Sequence, residues 1–203
     1  MKKIMFNDKY GLTQAVLEGR KTQTRRIIPK DFFSLTWDKR DDTLVYENSM
    51  GDFIDIRNSE YALCKAGEIV AVAQSYRDCG GVNEEGIPMW EIISSKVGGT
   101  NAGWSNKMFV RAELMPHQIR ITNVRVGRLQ DISDEDCLKE GIIKGKVGSE
   151  DTHFMDAYYI PTLKKDPFCT PQGAYSYLID KISGKGTWER NPYVFVYDFE
   201  LVK

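Results

Sequence analysis

The chain has 203 residues, of which 41% are hydrophobic and 28% charged, and its formal net charge is −1. These values exclude a disordered chain and a polycation. No apolar run approaches the roughly 20 residues of a membrane helix, and the N-terminus lacks the pattern of a signal peptide. We therefore expect one elaborated domain over residues 1–203, located in the cytoplasm and without a membrane partner.

The metal-binding and disulfide-forming residue types are few and show no characteristic spacing. They are Cys64, Cys79, Cys137, Cys169, His117 and His153. The cysteines have no CxxC pairs, and a chain of this size does not need a disulfide scaffold to fold. We therefore expect no metal site, and the sequence implies no cofactor.

Charge is unevenly distributed along the N-terminal part of the chain. Residues 1–30 contain eight Lys and Arg but only two acids, whereas residues 31–60 contain three Lys and Arg and eight acids. Such a distribution permits a local basic patch that faces phosphate. It is equally typical of a surface whose charges balance one another.

The first predicted element is a helix over residues 8–18, with a cap at its start and Gly19 at its end. The basic segment at residues 19–26, GRKTQTRR, follows directly. Pro29 disfavours a helix here, so we predict a loop that enters a strand.

The middle of the chain reads mainly as strands and loops. A hairpin is predicted over residues 43–47 and 53–57, followed by a strand over residues 69–76. The glycine-rich residues 78–107 resemble an irregular insertion. Apolar alternation then predicts a long strand over residues 118–129.

Two further helices and another insertion are predicted after this strand. Ser133 can cap a helix over residues 134–140. Residues 144–169 again resemble a loop insertion. A better-defined helix begins after Thr170, with Pro171 in its first turn, and ends at Gly184. Its predicted inward-facing residues are Tyr175, Leu178 and Ile182.

The last segment, residues 193–202, alternates aromatic and other side chains as a strand does. We predict an interior strand with Phe195 and Phe199 buried, because an exposed face of large aromatics is unfavourable in water. The order of elements indicates an α+β fold with an antiparallel or mixed sheet.

The basic segment contains the residue types for two different functions. Arg20, Arg25 and Arg26 would lower the pKa of Lys21, and a neutral lysine can activate a hydroxyl such as that of Thr24. In a regular strand, however, positions 21 and 24 face opposite ways, so the backbone must turn between them. The alternative is a basic loop that binds phosphate.

Other nucleotide and hydrolase motifs are absent. The chain has no Walker loop, no GxGxxG and no GxSxG. GKVG at residues 145–148 matches the clamp of KH domains but lacks its helical flanks.

GRKTQTRR, preceded by a helix and followed by IIP, resembles the GxKxxTxR signature of ASCH domains in the PUA-like superfamily, particularly the long phage and prophage form. CKAGEIVAVAQSY is similar to the family's turn and strand, and ITNVRVGRLQDISDEDCLKEGI to its strand and helix. The ending AYSYLIDKISGKGTWERNPYVFVYDFELV resembles the final helix, loop and strand. The four matches occur in the family order.

The resemblance implies a small mixed or antiparallel β-barrel with flanking helices and a cleft for RNA or a nucleobase. Some short bacterial members hydrolyse the amide of N4-acetylcytidine with a Lys, a Thr and a Glu. These fall on Lys21, Thr24 and Glu140. The chain departs from many relatives at residues 74–76, QSY, and near residues 115–117, MPH, both of which we expect to border the cleft.

Two functions therefore stay open. The first is a module that binds RNA or a modified nucleoside, with Arg20, Arg25 and Arg26 on its basic face. Its candidate stacking residues are Tyr76, Trp104 and Trp188, for each of which a core role is equally compatible. The second is an amidohydrolase that cleaves N4-acylated cytidines with the Lys, Thr and Glu.

Overall fold

A computed structural model of the chain describes residues 1–29, 35–39, 43–98, 101–149, 153–163 and 166–202. The strands are β1 (Lys3–Ile4), β2 (Gln23–Ile27), β3 (Thr36–Asp38), β4 (Thr43–Glu47), β5 (Phe53–Asp55), β6 (Ile69–Val72), β7 (Gln118–Arg128), β8 (Ile143–Val147), β9 (Met155–Tyr159) and β10 (Tyr193–Leu201). The helices are α1 (Leu12–Leu17), α2 (Met89–Val97), α3 (Asp134–Lys139), α4 (Pro171–Ser183) and α5 (Thr187–Arg190). Residues 99–100, 150–152 and 164–165 of the two predicted insertions lie outside the described ranges.

The principal sheet has five strands in the order β1-β6-β7-β10-β2. β1 pairs with β6 in parallel, whereas β6–β7, β7–β10 and β10–β2 are antiparallel. A three-stranded sheet β3-β4-β5 and the hairpin β8-β9 are separate from it. The fold is therefore α+β with mixed and antiparallel sheets, as the order of elements predicted.

β10 is an interior strand, and its burial confirms the prediction for its aromatic residues. Phe195 and Phe199 are 2% and 4% exposed. Val194 and Val196, which point to the opposite face, are also buried. The strand is thus covered on both faces over most of its length, and only its end emerges, where Leu201 is exposed.

The predicted first helix is interrupted. A 3₁₀ turn at Asp8–Tyr10 is followed by Gly11 in the left-handed region with φ of 67°, and α1 starts only after it. A Cβ on Gly11 would lie 3.2 Å from the Cβ of Pro161, so packing as well as backbone geometry favours glycine here. The strand predicted after the basic segment is present as β2, and the predicted hairpin as β4 and β5.

Both predicted insertions contain regular structure that the sequence did not reveal. The first contains α2, which buries Ile93 but has no side-chain cap at its N-terminus. The second contains the hairpin β8–β9, whose strands have five residues each. The prediction of irregular loops was therefore wrong for both, because the glycines of these segments were given more weight than the helical spacing of Met89, Ile93 and Val97 and the alternation in β8.

Two smaller predictions are also corrected. The strand predicted over residues 69–76 ends at Val72, because the chain forms a 3₁₀ turn at Tyr76–Asp78. In α4, Ile182 is exposed rather than inward-facing. Its place in the core is taken by Ile179, one turn after Tyr175, since residues four apart lie on the same helix face.

The two edges of the principal sheet, β1 and β2, approach each other without pairing. Among the described residues, no backbone hydrogen bond joins them. Instead, Arg26 Nη2 on β2 donates a 2.6 Å hydrogen bond to the carbonyl of Met5, just after β1. The gap between these edges opens into a cleft. None of the helices in the described part of the chain combines the length and apolar character needed to cross a bilayer.

The central position of β10 makes a testable prediction about stability. Replacing Phe195 with alanine should lower the free energy of unfolding by about 3–5 kcal/mol, because it removes a buried ring and leaves a cavity. Phe53→Ala is the matched control, since Phe53 is 67% exposed. Urea unfolding followed by circular dichroism measures both, and equal losses would contradict the buried position of β10.

Candidate functional site

The cleft between the sheet edges has a volume of about 640 Å³. One wall is apolar and includes Phe6, Tyr175, Leu178 and Ile179. The charged side chains that line it are Asp8, Lys9, Lys21, Arg25, Arg26, Lys107 and Glu140. Thr24 also lines it. The three residues implied as catalytic by the family resemblance therefore border the same cleft.

Lys21 is a buried lysine whose hydrogen-bonding capacity is fully used. It is 2% exposed, and its Nζ donates to the carbonyl of Gln23 at 2.7 Å, the carbonyl of Glu140 at 2.8 Å and Glu140 Oε2 at 2.6 Å. An ammonium has three protons, so this arrangement accommodates the charged form. Burial nevertheless lowers the pKa of Lys21, and the Glu140 carboxylate opposes that effect.

The local backbone explains how Lys21 and Glu140 meet. Gly19, with φ of 71°, ends α1, and the amide of Lys21 then bonds the carbonyl of Ala15 at 2.9 Å. Glu140 is the C-terminal cap of α3, and Gly141 follows with φ of 105°. Each residue thus lies at a helix end that turns inward, so both side chains reach the same interior point.

Lys21 and Thr24 face the same cleft because Lys21 precedes the strand. β2 begins at Gln23, so strict alternation does not apply to position 21. Thr24 is buried, and its hydroxyl has no hydrogen-bond partner among the described residues. The structure therefore brings Lys21 and Glu140 into contact and places Thr24 along the same wall, without a hydrogen bond to either.

On the face of β2 opposite to Thr24, side chains form a closed ring of hydrogen bonds. Gln23 Nε2 donates to Asp198 at 2.6 Å, and Arg25 donates to Gln23 Oε1 and, at 2.8 Å, to Asp136. Arg125 completes the ring, with 3.0 Å to Asp136 and 3.4 Å to Asp198. Side chains from β2, β7, β10 and α3 are thereby linked.

Arg25 connects this ring to the cleft. Its Nη1 lies 3.3 Å from Glu140 Oε1, while Lys21 occupies the other carboxylate oxygen. The two oxygens of Glu140 are therefore held by two different cations. This restricts the rotation of the carboxylate, so the ring positions Glu140 as well as Arg25.

Asp136 is the most strongly perturbed carboxylate of the ring. Burial alone would raise its pKa, but hydrogen bonds from Arg125 and Arg25 outweigh burial and hold the pKa of Asp136 at about 2. Ser133, the N-cap of α3, also accepts a hydrogen bond from the Asp136 amide at 3.1 Å. No sequence motif pointed to Asp136 as a site residue, so its central role in the ring was missed.

The three predicted arginines occupy different environments. Arg25 belongs to the hydrogen-bonded ring. Arg26 faces the cleft, and its Cζ lies 6.0 Å from the centroid of the Phe6 aromatic ring. Arg20 is exposed and pairs with Glu18, outside the cleft lining. Burial, rather than these arginines, is the main cause of the lowered pKa of Lys21, although Arg26 and Arg25 act in the same direction.

None of the three proposed stacking residues lines the cleft. Tyr76 is fully buried in a second core, where its hydroxyl accepts a 2.8 Å hydrogen bond from the amide of Arg111. Trp104 packs against that core, and Trp188 packs edge-on against Tyr175 with ring centroids 6.2 Å apart. The structure thus assigns packing roles to these aromatics, and Tyr175 supplies an aromatic wall of the cleft instead.

Lys107 is a cleft residue that sequence reasoning missed. It comes from the first insertion, donates to the carbonyl of Phe6 and forms a 2.7 Å ion pair with Asp8. No sequence signal connected position 107 with the N-terminal segment, because the contact is created by the fold. Within the described ranges, no cluster of three or more His, Cys, Asp and Glu residues is arranged to hold a metal ion.

No protein-family model, curated protein or solved structure matches this chain. The resemblance to ASCH domains therefore depends on the sequence motifs alone.

The depressed pKa of Asp136 predicts how stability depends on pH. The ionised carboxylate stabilises the fold above its unfolded pKa of about 3.9, and this contribution disappears as the pH falls towards 2. Asp136→Asn should lower the free energy of unfolding near pH 6, on the order of 1–2 kcal/mol after allowance for solvent screening. The difference from wild type should shrink between pH 4 and pH 2.

Urea unfolding across this pH range measures the effect. Asp134→Asn is the control, because Asp134 is on the same helix but exposed. A difference between wild type and Asp136→Asn that does not change from pH 6 to pH 2 would show that the ring does not depend on this charge.

Proposed function

We propose that the chain is an ASCH protein with a PUA-like fold that binds a modified nucleoside, or a base of an RNA strand, in the cleft between β1 and β2. The observation that carries this proposal is the buried Lys21–Glu140 pair in a cleft of about 640 Å³. This volume lies within the range of small-molecule sites. The motif resemblance supplies the ligand class, and the geometry supplies a place for it.

The lining of the cleft is suited to a flat heterocycle. Phe6 and Tyr175 provide aromatic surface, and Leu178 and Ile179 extend the apolar wall. Polar groups converge from the opposite side, where Thr24 can donate or accept a hydrogen bond. An apolar wall with a few fixed polar groups is the usual composition of a site that recognises a base.

The binding proposal is tested with a panel of free nucleosides, both canonical and N-acylated, by isothermal titration calorimetry. We expect saturable binding of at least one modified nucleoside. Thr24→Val should weaken it by about 5- to 10-fold, because it removes one hydrogen bond while preserving shape. Thr22→Val is the control, since Thr22 does not line the cleft. Absence of binding to every nucleoside and to a short RNA would refute the proposal.

A second candidate function is hydrolysis of an N4-acylated cytidine. The specific observation that favours it is the hydroxyl of Thr24, which has no hydrogen-bond partner among the described residues and lies on the wall that also holds Lys21 and Glu140. Threonine oxygen is a weak nucleophile unless a neighbouring base removes its proton. Lys21 is the only lysine implied for that role by the motif, and its lowered pKa eases loss of a proton.

The geometry imposes an order on such a reaction. Because three acceptors hold the Lys21 ammonium, a proton must first pass along the 2.6 Å bond to Glu140. The neutral amine then takes the proton of the Thr24 hydroxyl as its oxygen attacks the acyl carbonyl. The protonated Glu140 gives its proton to the departing cytidine nitrogen. Water finally hydrolyses the acyl-threonine, which releases the carboxylic acid and restores the hydroxyl.

This candidate predicts a distinctive set of variants. Thr24→Ala should abolish turnover of N4-acetylcytidine, and Lys21→Arg should do nearly the same, because an arginine does not deprotonate. Glu140→Gln should slow turnover by about 10²- to 10⁴-fold, since an amide cannot transfer the proton. Chromatography of released cytidine measures all three. Equal release by wild type and Thr24→Ala would remove the mechanism and leave the binding function standing.

A further inference from the structure

Arg26 is a partly buried arginine whose side chain lines the cleft. Within the described ranges, its side chain donates one hydrogen bond, from Nη2 to the Met5 carbonyl, and its Nε is covered by protein without a partner there. No described carboxylate forms an ion pair with it. The neighbouring Arg25, by contrast, forms ion pairs with Asp136 and Glu140.

The cleft as a whole also has more positively than negatively charged side chains in its lining. Five cations line it, against the carboxylates of Asp8 and Glu140. Lys107 pairs with Asp8, and the remaining carboxylate is shared by Lys21 and Arg25. Arg26 and Lys9 are left without an acid partner among the described residues. The cleft is therefore locally positive, although the chain as a whole carries a net charge of −1.

A partly desolvated positive charge without an ion-pair partner is unfavourable, since the desolvation is not offset. Burial accordingly lowers the pKa of the Arg26 guanidinium, although arginine remains charged in proteins. The Arg26 Nη1 donates no hydrogen bond to a described residue and remains available. An anionic ligand group would remove this unfavourable state, and an arginine fork matches phosphate oxygens well.

We propose that the ligand of the cleft carries a phosphate group that binds Arg26, so that the ligand is a nucleoside monophosphate unit rather than a neutral nucleoside. This inference rests on the proposed function for the base and adds the anion. Lys9, which is exposed on the cleft rim, contributes a second positive charge to the same group. The phosphate belongs either to a free nucleotide or to an RNA strand.

The experiment compares cytidine, cytidine 5′-monophosphate, a six-residue oligocytidylate and inorganic phosphate by isothermal titration calorimetry at constant ionic strength. The variants are Arg26→Gln, which removes the charge, and Arg26→Lys, which keeps it. Arg20→Gln is the matched control, because Arg20 is exposed, pairs with Glu18 and does not line the cleft. Circular dichroism melts verify that each variant is folded.

We expect the phosphate to increase the affinity of wild type by about 10- to 100-fold over cytidine, the range of one or two charge-assisted hydrogen bonds. Arg26→Gln should lose this increase, Arg26→Lys should keep part of it, and Arg20→Gln should keep all of it. Tighter binding of the monophosphate than of the oligonucleotide identifies a free nucleotide, and the reverse order identifies RNA.

Two results would overturn the inference while leaving the proposed function intact. One is equal affinity for cytidine and its monophosphate, and the other is an equal loss in Arg26→Gln and Arg20→Gln. If cytidine, its monophosphate and the oligocytidylate all fail to bind, and the panel of modified nucleosides also shows no binding, the proposed function fails. In that case, Arg26-dependent binding of inorganic phosphate would support the anion site alone, and its absence would refute the anion site as well.

Discussion

A buried lysine ammonium requires three hydrogen-bond acceptors at one point, and the arrangement around Lys21 follows from this requirement. Two of the acceptors are backbone carbonyls, of Gln23 and Glu140, and the third is the Glu140 carboxylate. Together they fix the end of α3 against the start of β2. Since a mispaired charge in such a place costs several kcal/mol, the chain cannot shift one of these elements without the other.

The hydrogen-bonded ring extends this constraint across the sheet. Arg25 joins Glu140 to Asp136, and Arg125 and Asp198 carry the connection to the middle strands. β2 thereby has one face committed to the ring and the other open to the cleft. In the part of the chain that the structure describes, β1 and β2 do not pair with each other, and Arg26 contacts the segment after β1. This arrangement leaves room for a ligand beside the Lys21–Glu140 pair.

Much of the scaffold could be predicted from local signals. Alternating aromatics identified β10, the cap at Thr170 with Pro171 identified α4, and GRKTQTRR identified the segment that forms the cleft wall. The elements that were missed are α2 and the hairpin β8–β9. α2 has no side-chain cap, and its Ile93 is buried in the second core by tertiary contacts. Propensity and pattern carry no information about such contacts.

The candidate site also contains residues that could be predicted from the sequence and residues that could not. Lys21, Thr24 and Glu140 were accessible through motif spacing, and they do border one cleft. The roles of Asp136 and Lys107 were not accessible, because each depends on residues far away in sequence. The candidate stacking residues lie outside the cleft lining for a related reason, because packing decides whether a tryptophan or tyrosine is exposed. Tyr76 illustrates this, because it is large and polar at one end yet fully buried.

We propose that the Lys21–Glu140 pair serves ligand binding in the cleft rather than the stability of the fold. Apolar replacement of both partners of a buried pair is often neutral or stabilising, whereas removal of one partner costs about 3–5 kcal/mol. The most direct measurement is the free energy of unfolding of the double variant Lys21→Met with Glu140→Leu. The account predicts a value within about 2 kcal/mol of wild type, with the two freed carbonyls as the main cost. A loss as large as the two single substitutions combined would show that the pair is there to stabilise the fold.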